Sequence, residues 1–151
     1  MTVPPPLVIQ AVLFISLLVA ASVTDIRKRI IPNTICALVA LAGLICFSPA
    51  KLFGILAALP LLIPAVCKEG SIGGGDIKLT AAVGLVLGFE GGITGLTIGL
   101  SAMLLFLAVN KVIGWLRKGK CREKNETPAL PMAPFLSIGF IAVHVLTITG
   151  V

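Results

Sequence analysis

Six apolar blocks, separated by short polar breaks, take up most of this 151-residue chain, over residues 7–24, 31–48, 52–67, 77–89, 92–115 and 130–150. A hydrocarbon core near 30 Å takes about 20 helical residues, and inside it every backbone N–H and C=O must be paired by the protein itself. Blocks of this length therefore fold as packed helices in a bilayer. The expected fold is all-α and polytopic, with about six transmembrane helices in a single integral-membrane domain over residues 1–151. The third and fourth blocks are short, and Pro60 and Pro64 should kink the third. Demoting the fourth block gives a five-span alternative.

Charge supports six spans. Only 12% of residues are charged and 58% are hydrophobic, against about 25% charged in a soluble domain. With six spans, eleven of the twelve Lys and Arg residues fall on one side, and Lys51 alone falls on the other. Such an excess marks the cytoplasm, which puts the amino terminus outside. The net charge of +6 is thus a matter of topology and anionic lipid, with no nucleic-acid partner implied. The basic cluster follows the first apolar block instead of preceding it, so that block is expected to be a retained helix and not a secretory signal.

The chain has six acidic residues, and its only two aspartates, Asp25 and Asp76, stand at the ends of apolar blocks. An ionisable group at a membrane boundary is by default a functional-site hypothesis. Asp25 follows about 18 apolar residues, close to 27 Å of helix, which places it near the cytoplasmic boundary. Its structural explanation is an i,i+4 pair with Arg29. Asp76 ends the run Gly73-Gly74-Gly75-Asp76 and opens a helix of some 13 residues, roughly 20 Å, too short for a 30 Å core. The glycine run should then lie at membrane depth, where irregular backbone must be buried or line a wet cavity. Gly75 is expected to be needed for positive φ or for the close approach of another backbone. A capped connector is the alternative for this loop.

The four cysteines, Cys36, Cys46, Cys67 and Cys121, include no C-x-x-C pair. His144 stands alone in the last block and is expected to pack with a local hydrogen bond. No metal site and no cofactor are expected. Glycines four apart, Gly84 and Gly88 and then Gly91, Gly95 and Gly99, should serve internal helix packing, with dimerisation the alternative.

Asp25 with Ile31-Pro32-Asn33, Gly73-Gly74-Gly75-Asp76-Ile77-Lys78-Leu79, and the late Leu130-Pro131-Met132-Ala133-Pro134-Phe135 together resemble the type IV prepilin peptidases, members of the GxGD aspartic proteases. The resemblance implies cleavage of prepilin-like membrane protein precursors near their amino termini, on the cytoplasmic face of the plasma membrane. It carries Asp25 and Asp76 over as catalytic. Gly73, Gly75, Lys78, Pro131 and Pro134 become active-site loop residues, Lys78 with no assigned chemistry. Many bacterial relatives also methylate the new amino terminus and carry an insertion with paired C-x-x-C motifs. The absence of such pairs here implies a peptidase without methyltransferase activity. Two readings from other classes compete. One is a small transporter using the aspartates as a proton relay. The other is a non-catalytic subunit of a pilus or secretion machine, in which the aspartates pair with Arg29 and Lys78.

Overall fold

The computed structural model describes residues 5–46, 48–67, 73–117 and 131–149, without the side chains of 115–117. The described residues form α1 (Pro5–Lys28), α2 (Asn33–Ile45), a 3-10 helix (Pro49–Ala58) running directly into α3 (Leu59–Cys67), α4 (Gly74–Arg117) and α5 (Ala133–Thr149). Pro5–Lys28, Pro49–Cys67 and Gly74–Gly114 are each long and apolar enough to cross a membrane, while α2 and α5 are shorter apolar helices. The protein is an all-α polytopic membrane protein.

Gly88 makes the 44-residue α4 two helices. Its φ of 80° and ψ of −178° break the helix, a conformation that glycine adopts without steric penalty. A Cβ added at Gly92 would lie 3.5 Å from the Cα of Gly84, whereas residues eight apart in a continuous helix are about 12 Å apart. The chain therefore folds back, and α4 has a first arm (residues 74–87) and a second arm (residues 89–117). The reversal falls just before the Glu90-Gly91-Gly92 break expected from the sequence.

The third block solves its shortness differently. The helix begins ahead of the block, and its first ten residues, Pro49–Ala58, are 3-10 helix, which rises about 2.0 Å per residue instead of 1.5 Å. That stretch and α3 together reach roughly 33 Å, enough to span.

α2 packs on α1 and on the first arm, and α5 packs on α1 and on the second arm. The 3-10 helix lies against α4. Glycines set these approaches. A Cβ at Gly54 would run into the Gly84 carbonyl, and one at Gly139 would run into the Gly95 carbonyl. Internal packing thus accounts for Gly84, Gly95 and Gly99 of the glycine repeats, while Gly88 serves the reversal. The core is Phe14, Leu18, Leu61, Leu79, Val83, Leu136 and Phe140. Large apolar side chains such as Val12, Ile63, Leu104 and Leu105 are exposed on the outside, as suits a surface solvated by lipid.

Polar cross-links fix the register. Ser22 donates to Ser137, and Ser137 to the Leu18 carbonyl, joining α1 to α5. Buried Gln10 donates to the Ala42 carbonyl, joining α1 to α2 at the other end. His144 packs on Phe14 with ring centroids 4.8 Å apart. Its Nε2, however, has no hydrogen-bond partner among the described residues, so the expected local bond at that nitrogen is not formed.

Candidate active site

Helical periodicity turns both aspartates inward. On α1 the buried positions are Gln10, Ala11, Phe14, Leu18, Ala21 and Asp25, a stripe with steps of mostly three and four that continues the core face down to the carboxylate. On the first arm, Asp76 heads the stripe of Leu79, Thr80 and Val83. Each aspartate is only 7% exposed.

The two meet at one cavity of about 190 Å³, lined also by Arg29, Ile30, Ile31, Gly73, Gly74 and Gly75. The backbones of α1 and α4 stay more than 8 Å apart. Asp25 and Asp76 therefore line a common space from two different helices.

The wall holding Asp25 is shaped by the end of α1. Arg29 takes φ 54° and its N–H bonds the Asp25 carbonyl at 2.8 Å, a left-handed helix stop. Pro32, extended at φ −62° and ψ 137°, then starts α2. The Asp25 side chain does not pair with Arg29. Its Oδ2 instead accepts the backbone N–H of Ala133 at 3.0 Å, across 108 residues of sequence. Ala133 is the first residue of α5, and its N–H is one of those a helix start leaves unpaired.

The wall holding Asp76 is the glycine loop. The Asp76 N–H bonds the Gly73 carbonyl at 3.0 Å, and the Thr80 hydroxyl bonds the Asp76 carbonyl at 2.8 Å. Asp76 Oδ2 lies over Gly73, 3.1 Å from where a Cβ there would stand. Asp76 Oδ1 is buried with no hydrogen-bond partner among the described residues.

The three glycines are not equivalent. A Cβ at Gly74 would meet nothing within 4 Å, whereas one at Gly75 would stand 3.0 Å from the Ile31 Cβ. Gly88 is the only described glycine with positive φ, so of the two reasons expected for Gly75 the positive φ is corrected and the close approach remains, made by Ile31. Gly75 is small because Ile31 packs on it, and no left-handed backbone is needed there. Lys78 is not among the residues lining the cavity and donates to Asn33 Oδ1 at 3.1 Å, joining the starts of α4 and α2. Pro131 and Pro134 flank Ala133 and are partly buried. Cys36 lies beneath the loop, its Sγ 4.0 Å from the Gly75 carbonyl.

Reasoning from sequence missed Ile31, Asn33 and Ala133 as parts of this site. The first two sit inside the quoted Ile-Pro-Asn segment, where the signal was present but unassigned. Ala133 contributes only its backbone, for which no residue type gives a signal. No group of His, Cys, Asp or Glu side chains that could hold a metal occurs among the described residues.

Residues 12–115 match the model of the type IV leader peptidase family. The prepilin leader peptidase/N-methyltransferase of Bacillus subtilis (strain 168) is 36% identical over 142 residues, which cover 89% of this chain and 54% of that protein. The chain thus spans about half the length of this curated relative. No solved structure matches it significantly.

Proposed function

The chain belongs to the type IV leader peptidase family, and we propose that it is an aspartic endopeptidase that removes the leader from prepilin-like precursors. The observation that carries the aspartic mechanism is the convergence of the only two aspartates, 51 residues apart in sequence and both buried, on one cavity with a glycine-lined wall. Two neighbouring carboxyls do not both ionise cheaply, so the pair holds one proton and titrates as a unit. The ionised member takes a proton from water, whose oxygen attacks the scissile carbonyl carbon. The protonated member gives its proton to the carbonyl oxygen. The carboxyl that took the water proton then gives it to the leaving nitrogen, the C–N bond breaks, and a diol O–H proton passes to the other carboxylate, which restores the pair.

The cytoplasm is the proposed side for cleavage, because the basic residues flank the dyad end of the chain in Arg27, Lys28 and Arg29. Peptidase activity without methyl transfer is proposed because only four residues join α1 to α2 and no C-x-x-C occurs in the sequence. A plasma-membrane location belongs to the same proposal.

Co-expression with a prepilin-like precursor tests the reading by the size shift on leader removal. Asp25→Asn and Asp76→Asn should each lose nearly all cleavage, and the double variant little more, as groups acting as one unit do. Processing by either Asn variant at near the wild-type rate would refute the dyad.

A further inference from the structure

The two carboxyls of the cavity are held in unlike ways, and the unlikeness assigns them roles. Asp25 Oδ2 accepts the Ala133 N–H at the start of the 17-residue α5. That N–H is a donor with a fixed direction at the positive end of a helix, and it favours the ionised carboxylate. Asp76 receives no such bond. Its Oδ1 is buried without a partner among the described residues, and an uncompensated charge there would be costly. Neither side chain is ion-paired among the described residues. Arg29 lines the cavity but bonds neither carboxylate, Lys78 is engaged by Asn33, and the neighbouring Cys36 thiol lies at the Gly75 carbonyl.

We propose that the Ala133 backbone N–H is a positioning group that keeps Asp25 ionised, so that the proton shared by the pair rests on Asp76. This rests on the aspartic reading above and goes beyond it by giving each member its part. Asp25 is then the base that takes the water proton, and Asp76 is the acid that protonates the scissile carbonyl oxygen. On collapse of the diol, the proton held by Asp25 goes to the leaving nitrogen, and a diol O–H proton returns to Asp76. The late Met132-Ala133-Pro134 helix start thereby acquires a function. Pro134 supplies no N–H of its own, which leaves Ala133 as the donor aimed at Asp25.

The sequence makes the test unusually direct. Asp25 and Asp76 are the only aspartates, so protein labelled with 13C at the aspartate carboxyl and held in lipid nanodiscs gives two carboxyl resonances. Asp25→Asn and Asp76→Asn each leave one, which assigns them. Over the pH range in which the pair holds one proton, the expected spectrum has Asp25 at the ionised position and Asp76 at the protonated one. Ala133→Pro deletes the N–H at a first helical position that proline favours. It should move the Asp25 resonance toward the protonated position and lower kcat about tenfold with KM little changed. Ala133→Gly, which keeps the N–H, should restore the wild-type spectrum. A proton found on Asp25, or equal sharing between the two, would overturn the assignment. So would an unchanged spectrum in Ala133→Pro. If that variant does not accumulate, the wild-type titration decides alone. Cleavage by an Asn variant would instead remove the aspartic reading itself, so the two failures are distinguishable.

Discussion

Gly139→Ala places one methyl group at the closest contact between α5 and the second arm of α4, far in sequence from either aspartate. The new Cβ would run into the Gly95 carbonyl and stand 2.7 Å from the Gly99 nitrogen, where ordinary contact begins at 3.4 Å. Both obstacles are backbone, so no rotamer relieves them. α5 must move outward by about 0.7 Å or more, since close-packed interiors do not absorb such an overlap. Overpacking of this kind costs about 1–3 kcal/mol, which should show as a lower melting temperature in detergent. The functional consequence runs through Ala133. Its 3.0 Å bond to Asp25 would lengthen to about 3.7 Å if α5 moves as a rigid body, beyond the range of a hydrogen bond. Loss of this one charge-assisted bond should lower kcat about tenfold, the effect expected of Ala133→Pro. The assay is the rate of precursor cleavage in proteoliposomes at matched protein amounts, with melting followed in parallel. Wild-type cleavage and melting in Gly139→Ala would refute both the tight contact and its link to the site. Reduced stability with full activity would refute the link alone.

The glycine loop should show a graded response. Gly74→Ala should retain cleavage within about twofold, because its Cβ enters open space, whereas Gly75→Val should lose cleavage while still accumulating, because Ile31 blocks it. Equal tolerance at both positions, measured by precursor processing, would contradict the packing of Ile31 on Gly75. Lys78→Ala and Asn33→Ala should each cost only a few-fold in rate, and the double variant should cost no more than either. The bond they share is exposed and is worth about 1 kcal/mol at most. A hundred-fold loss in Lys78→Ala alone would point to a direct role in substrate binding. In intact cells, a cysteine placed at residue 50 should react with an impermeant maleimide, and Cys121, which lies outside the described residues, should be protected. The reverse pattern would invert the proposed topology.

The sequence alone determined the architecture, because lipid leaves a chain few choices. Apolar blocks that cannot pair their backbones with water must be helices, and the six block positions correspond to the helices found, two of them the arms of α4. It also singled out Asp25 and Asp76, since an acidic residue in such a chain is rare and costly to keep. The inward direction of each aspartate was implicit in helical spacing, as Phe14, Leu18, Ala21 and Asp25 lie on one face of α1. Tertiary structure decided the rest, because contacts across many residues leave no trace in local pattern. The reversal at Gly88, and not at Gly91-Gly92, depends on one backbone conformation. The smallness of Gly75 answers to Ile31, 44 positions earlier. The partner of Asp25 is a main-chain N–H at Ala133, a group every residue but proline carries, which only the packing of α5 against α1 could place there.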